Sequence, residues 1–243
     1  MDIGIGVCSY QRPELATDTC RDILNTVDSS KHHITTVCSL DDENVLGYEW
    51  VSKNFNLIYG KNKGVAANKN RILKYLEGND FIFIAEDDIK FNKPGWVDVF
   101  IKAEELTKFQ HFNYIVSNYR EFIKRTVSYG DISVGDSGPY VNGVLMVMSK
   151  KCLEIVGGFD ERYGRYGYEH VDYTNRCKKA GIHPSFNFHV MEVSSYIDWT
   201  HSKSCLSDKE KEICIKQNEK IFHEQNKVIY NDSYKKAQYQ CWT

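Results

Sequence analysis

The sequence predicts an α/β chain built around a mostly parallel central sheet flanked by helices. Three observations carry this. Short apolar runs rich in β-branched residues recur at 3–9, 33–40 and 80–85. Segments with apolar residues at helical spacing lie between them. Turn-forming residues such as Pro13, Gly60 and Gly78 sit at or near the joins. Strands alternating with helices imply right-handed crossovers and a parallel sheet.

Each element follows from its own pattern. "IGIGVCS" (3–9) reads as a buried strand, and "QRP" turns the chain. Leu15, Ile23, Leu24 and Val27 then recur at helical spacing over 14–27. "HITTVCSL" (33–40) and "NFNLIYG" (54–60) read as strands two and three. "GVAANKNRILKYLEG" (64–78) reads as a helix closed by a glycine. "DFIFIA" (80–85) is strand four. Further strands are expected at 114–118, 140–149 and 191–201. The stretch 150–182 holds a short helix, a Gly-rich loop and a second helix starting near Glu169. Ser207 to Tyr230 reads as a long exposed helix that opens with a Ser207/Glu210 capping box.

Composition narrows the class. The chain has 243 residues, 42% hydrophobic and 26% charged, as in an ordered globular protein. That length suits one large α/β domain or two small ones, and the chain is read as a single domain, 1–243, ending in a C-terminal helix and tail, 205–243. The formal net charge of −2 advertises no global attraction to nucleic acid or anionic membrane. No apolar run is long enough to span a bilayer, and the N-terminus lacks the basic start of a signal peptide. The eight cysteines are scattered without a close CxxC pair, so reduced thiols and a cytoplasmic location are expected.

The chemistry centres on "FIFIAEDDIKF". Glu86, Asp87 and Asp88 follow strand four directly. Ligands of parallel sheets bind beyond the carboxyl ends of the strands, so the acids are expected on the ligand edge and not buried. Three adjacent acids repel one another and need a compensating positive charge. Carboxylates one residue apart can converge on Mg²⁺ or Mn²⁺, which prefer oxygen ligands. Taken alone, the triplet is as well explained by a solvated acidic turn.

Four segments in order resemble the family 2 glycosyltransferases of the GT-A fold. "VCSYQRP" stands where that family ends its first strand in a turn of the type P-T-Y-N-R. "DD" (41–42) follows strand two, where an acid holds the nucleotide base. "GVAANKN" (64–70) matches a nucleotide-facing G-x-x-x-A-R-N segment, with Lys69 at the Arg position. "EDD" stands for D-x-D, with Glu86 in place of the first Asp. The resemblance spans about residues 3 to 201. It implies a Rossmann-like sheet, a nucleotide-sugar-binding half over 1–118 and an acceptor half over 119–204. It implies transfer of a hexosyl or pentosyl unit from a nucleotide sugar, UDP-linked by expectation, to an acceptor hydroxyl with inversion. The donor-binding residues it implies are Ser9, Tyr10, Arg12, Asp41, Asp42, Gly64, Lys69, Asn70, Glu86 and Asp87. Asp88 is the implied direct ligand of Mn²⁺ or Mg²⁺, with Glu86 helping and His201 as a third ligand.

"GGFDERYGRYGYEHVDYTNR" matches the acceptor-side pattern, in which an Asp after the Glu is the general base. Here His170 stands in that place. The candidates for base are ordered Asp172, His170, Glu169, because Asp172 lies three residues beyond Glu169 and is expected to share its face. Acids at a helix start are equally explained by the helix dipole. Tyr163, Tyr166 and Tyr168 suit stacking on a sugar or packing in the core. Lys102, Lys108, Arg120, Lys124 and Arg125 suit a phosphate-binding patch or a solvated face. The acceptor stays open between a glycan and a hydroxymethylated DNA base, as does the oligomeric state. A non-catalytic sugar- or nucleotide-binding module is the alternative, favoured by His170. A nucleotidyltransferase fits less well, since no Gly-rich loop follows the first strand.

Overall fold

Strand and helix alternate through the first half as the pattern predicts. In the computed structural model the structure describes residues 1–138, 140–184, 188–200, 202 and 204–226. Strands β1 (Asp2–Ser9), β2 (His33–Leu40), β3 (Asn56–Tyr59) and β4 (Phe81–Glu86) pair in parallel, in the order β3-β2-β1-β4. Helices α1 (Pro13–Thr26), α2 (Glu49–Asn54) and α3 (Val65–Tyr75) make the connections. After β4 come a short β5 (Ile89–Phe91) and helix α4 (Trp96–Thr107).

The second half extends the same sheet with mixed direction. β6 (His111–Asn113), β7 (Arg125–Tyr129), β8 (Ile132–Asp136), β9 (Leu145–Ser149) and β10 (Phe188–Val190) complete nine strands in the order β3-β2-β1-β4-β9-β6-β10-β8-β7. β9 runs antiparallel to β4 and to β6. α5 (Lys150–Val156) and α6 (Glu169–Lys179) pack on this half. β11 (Ile197–Trp199) leaves the large sheet and pairs antiparallel with β5. α7 (Asp208–Asn226) ends the described chain, and its Ser207/Glu210 capping box is formed.

Several boundaries differ from expectation. Residues 114–116 fall outside the strands, although Tyr114 N still donates to Leu145 O of β9, and 117–122 form a 3-10 helix. The strand expected over 191–201 is cut to three residues by a 3-10 turn at Glu192–Ser195. α2, β5, α4, β7 and β8 carried no assignment. On the edge strand of the β7–β8 hairpin only Val127 and Tyr129 turn partly inward, and the other three residues are exposed.

Two core layers flank the sheet. On one face Ile3, Ile5 and Val7 of β1 meet α1 and α4, with Phe83, Trp96 and Phe100 in edge-on contact. α1 lies on this face through small side chains, Ala16, Thr19 and Cys20 with Ile23, while Leu24 is exposed. On the other face α3 crosses β1 at Gly6, where a Cβ would come within 2.2 Å of Ile72. The glycines of "IGIG" therefore serve close helix–strand packing and not a phosphate loop. The seven cysteines among the described residues are free. No helix among the described residues is long and apolar enough to cross a membrane.

Candidate active site

The carboxyl ends of β1 and β4 lie side by side, with Cys8 paired to Glu86. The two turns that leave them build one half of the site. After β1 the chain turns through Gln11, a non-glycine residue with φ 54°. Such conformations cost free energy and cluster at functional sites. The turn aims Arg12 at the acids beyond β4. Its guanidinium pairs directly with Asp87, and its Nη1 lies 3.6 Å from Asp88 Oδ2.

The acids are not on an open edge. Asp87 is fully buried and Asp88 is 6% exposed, while Glu86 is partly exposed. Ser9 Oγ donates to Asp87 Oδ2 at 2.7 Å, and Tyr48 Oη lies 2.9 Å from the same hydroxyl. Burial pushes the Asp87 carboxyl up to about 7, against the pull of Arg12 and Ser9. The chain returns over the acids after β11. Thr200 donates to the Asp88 carbonyl, and Ser202 Oγ donates to Asp88 Oδ2 at 2.6 Å while accepting from Arg12 Nη1 at 2.7 Å. The positive charge beside Asp87 and Asp88 is thus, in part, the protein's own Arg12.

The other half comes from α6 and is joined through Lys69. Lys69, expected to face the nucleotide, is fully buried. Its Nζ donates to Glu169 Oε1 at 3.1 Å and to Gly143 O at 3.4 Å, and lies 3.8 Å from Glu86 Oε1. Burial opposes its charge, but Glu169 and Glu86 outweigh burial and hold its pKa above the ordinary value. Burial raises the Glu86 carboxyl, with Asp88 and Glu169 adding to the rise and Lys69 opposing it. Glu169 is also buried, yet Lys69 and His170 hold its carboxyl well below the usual range. It is therefore ionised and acceptor-only. His170 Nδ1, at 3.0 Å from Glu169 Oε1, must then carry the hydrogen. Nε2, the other nitrogen of this partly buried imidazole, makes no hydrogen bond among the described residues.

Asp172 is placed differently from expectation. Its carboxylate accepts from Arg176 Nε at 2.8 Å, and Arg176 also donates to Val156 O. Both side chains are buried in this i,i+4 pair. It ties α6 to the end of α5 and does not join Glu169 and His170.

Other predicted residues hold loops. Asp41 is buried and accepts from the backbone of Lys63 and Gly64 and from Arg71 Nη2 at 2.6 Å, which pins the entrance to α3. Asp42 is more open and accepts from Gln11 Nε2 at 2.8 Å. Asn70 is bonded both ways to the backbone of Phe159, stitching α3 to "GGFDE". Gly64, at φ 99°, lies so close to Gly164 that a Cβ would sit 1.9 Å from its carbonyl oxygen. Tyr10 is partly exposed, and its carbonyl faces Cys205 Sγ. Tyr163 is a core residue, and Tyr168 packs its ring against Phe222. Of the basic residues, Lys102 pairs with Asp131 and Arg125 with Asp136. His201 lies outside the described residues. Tyr48, Thr19 and Ser202 carried no sequence signal, because each reaches the site only through tertiary distance.

A divalent cation has a partial donor set here. Asp88 Oδ1 is buried with no hydrogen-bond partner, the chemistry of a metal-facing oxygen. No three His, Cys, Asp or Glu side chains among the described residues converge on one point. Asp88 is therefore a candidate ligand, without a preformed three-ligand site among the described residues.

No family model matches the chain. An uncharacterized glycosyltransferase of Acanthamoeba polyphaga mimivirus is 25% identical over 224 residues, covering 86% of this chain and 87% of the relative. The mannosyltransferase of Pyrobaculum calidifontis in complex with GDP-Man and Mn²⁺ matches with a TM-score of 0.59 at 13% identity, over 74% of this chain and 53% of its own. This chain therefore spans about half the length of that enzyme. S. aureus TarS in complex with UDP-GlcNAc matches with a TM-score of 0.61 at 12% identity, over 97% of this chain and 69% of that one. With its mixed central sheet and flanking helices, the chain has the GT-A fold.

Proposed function

We propose that this chain is a family 2-like, metal-dependent glycosyltransferase that moves a sugar from a nucleotide sugar, UDP-linked by preference, to an acceptor hydroxyl with inversion. One observation carries this reading. Buried Lys69 bridges Glu86, beside the acids after β4, to Glu169, which orients His170. We take His170 as the proton acceptor, linked through Glu169 and Lys69 to the acids at the end of β4. The mimivirus relative and the nucleotide-sugar complexes of the structural neighbours support the same class.

Asp88, with Glu86 and His201, would hold Mn²⁺ or Mg²⁺. Bound there, the cation supplies Lewis-acid stabilisation of the leaving diphosphate. The protein's own groups do the rest. Asp41 fixes the α3 entrance, with Asp42 and Gln11 beside it for the base. His170 Nε2 takes the acceptor's proton as the acceptor oxygen bonds to the anomeric carbon. The anomeric carbon–phosphate oxygen bond breaks, and its electron pair leaves with the diphosphate. Glu169 stabilises the imidazolium so formed. The free cysteines fit a cytoplasmic enzyme. The acceptor is a glycan or a modified DNA base. Pairing of Lys102 and Arg125 with acids weakens the basic patch that DNA would need.

Titration of UDP and GDP with and without Mn²⁺, followed by assay of sugar release from a panel of nucleotide sugars, tests the reading. Wild type should bind one diphosphate in a Mn²⁺-dependent way and hydrolyse or transfer its sugar. Asp88→Asn should lose the Mn²⁺ dependence. Binding without turnover of any donor would leave a non-catalytic module.

A further inference from the structure

α7 is a long helix whose described residues are mostly exposed, yet Asn218 is only 4% exposed. It is the only buried residue among those of α7 whose exposure is described. A helix docked for stability alone would bury an apolar stripe. This one buries a carboxamide. Asn218 Nδ2 donates to Tyr163 O at 2.7 Å, to Tyr166 O at 2.8 Å and to Gly167 O at 2.9 Å. Two N–H protons serve three carbonyls, so at least one is shared. Only the amide nitrogen can face three acceptors, which settles the orientation of the group.

The same face of α7 makes the flanking contacts. Lys211 lies over the Tyr166 ring at 5.9 Å, Ile215 is 3.7 Å from where a Cβ of Gly167 would be, and Phe222 packs on Tyr168 at 5.1 Å. Residues 211, 215, 218 and 222 recur at the spacing of one helix face. The loop they grip is backed on its other side by Gly64, whose Cβ position coincides with the Gly164 carbonyl. The loop ends at Tyr168, a non-glycine residue at φ 73°, and the next residue is Glu169. A strained residue of this kind persists only where its surroundings over-determine it.

We infer that Asn218 is a positioning residue: α7 clamps the 163–168 loop through its carboxamide and so holds Glu169 against Lys69 and His170 in register for proton transfer. The inference rests on the roles proposed above for Glu169 and His170, but the clamp itself has a readout independent of activity. Asn218 touches neither acid cluster nor imidazole, so its loss should leave the nucleotide end of the site intact.

The test uses the full chain with Asn218→Ala and with Asn218→Asp, which keeps the size but turns an acceptor toward three carbonyls. Hydrogen exchange should quicken at least about tenfold over 163–170 in both variants while β1 and β4 keep their protection. UDP affinity in Mn²⁺ should stay within about twofold, and the transfer rate should fall by about tenfold or more. If Asn218→Asp does not fold, Asn218→Ser carries the same test. Unchanged exchange over 163–170, or equal loss of nucleotide affinity and rate, overturns the clamp. Faster exchange in the variants of a chain that turns over no donor would support the clamp and overturn the glycosyltransferase reading instead.

Discussion

Lys69 illustrates how a side chain changes meaning between sequence and structure. Its place in "GVAANKN" suggests a phosphate contact at a helix edge. The structure encloses it between Glu169 and Glu86, with its Nζ 5.6 Å from the Phe159 ring. Removing one partner of a buried ion pair strands the other charge, which typically costs about 3–5 kcal/mol. Lys69→Met should therefore lower unfolding free energy in urea by an amount of that order, more than it weakens nucleotide binding. A loss below about 1 kcal/mol, the scale of exposed pairs, would show that the bridge is dispensable. His170 tests the chemistry. His170→Ala should cut transfer by about 10²–10⁴-fold, the usual contribution of a general base, with nucleotide affinity kept. Asp172→Asn should act instead through stability, because its carboxylate is committed to Arg176. Transfer rates that fall with Asp172→Asn and not with His170→Ala would reverse these roles.

Among the elements, α3 ties the two halves together. Its face packs on β1 at Gly6, its entrance is pinned by Asp41, and Asn70 holds the backbone of Phe159. Gly64 begins it with a positive φ and a backbone approach to Gly164 that leaves no room for a side chain. Gly64→Ala should thus lower stability by more than the roughly 1 kcal/mol that a left-handed φ costs an L-residue, since the 164 loop must also move. Thermal melts check the first effect, and hydrogen exchange over 163–168 checks the second. An unchanged melting temperature would mean the two loops do not touch in solution. The β5–β11 ribbon plays a parallel part beyond β4 by carrying Thr200 and Ser202 to Asp88.

For the whole molecule, buried histidines away from the site add their own pH dependence to stability. His111 and His189 are buried between the mixed strands, and burial drives each pKa down to about 4 from 6.5. His183 is also pushed well down by burial, with His111 and Lys178 adding to the shift. Their partners suit neutral rings: His111 meets Val147 O and Thr174 Oγ1, and His189 meets Asn113 O and Ser137 Oγ. The unfolded chain binds more protons at these rings than the folded one. At His111 and His189 stability is full above about pH 6.5 and declines as pH falls toward 4, by on the order of 3 kcal/mol for each, while the raised Asp87 carboxyl opposes them by binding its proton in the fold below about pH 7. His111→Gln removes one of these rings, so its effect on the urea midpoint should become less destabilising from pH 7 through 6 to 5. A midpoint difference between wild type and variant that is the same at all three pH values would mean that the fold does not hold His111 neutral.

The parallel half was legible because its signals are local. β1 and β4 are nearly continuous apolar runs, β2 is rich in β-branched residues, and a glycine follows the helical pattern of α3. The segments "VCSYQRP", "EDD" and "YGYEHVD" stood out as chemistry because acids, a histidine and turn residues follow predicted strands or begin a helix. Which of those groups meet was not legible. Ser9 and Asp87 are 78 positions apart, and Lys69 and Glu169 are 100 apart. Nothing in a local pattern says that Lys69 faces inward, that Arg12 covers the acids, or that Asp172 turns to Arg176. Those choices follow from packing, because a buried charge takes the partner that the neighbouring elements bring within reach. Asn218 is the clearest case, a polar residue on an exposed helix whose meaning exists only where α7 crosses the loop before Glu169.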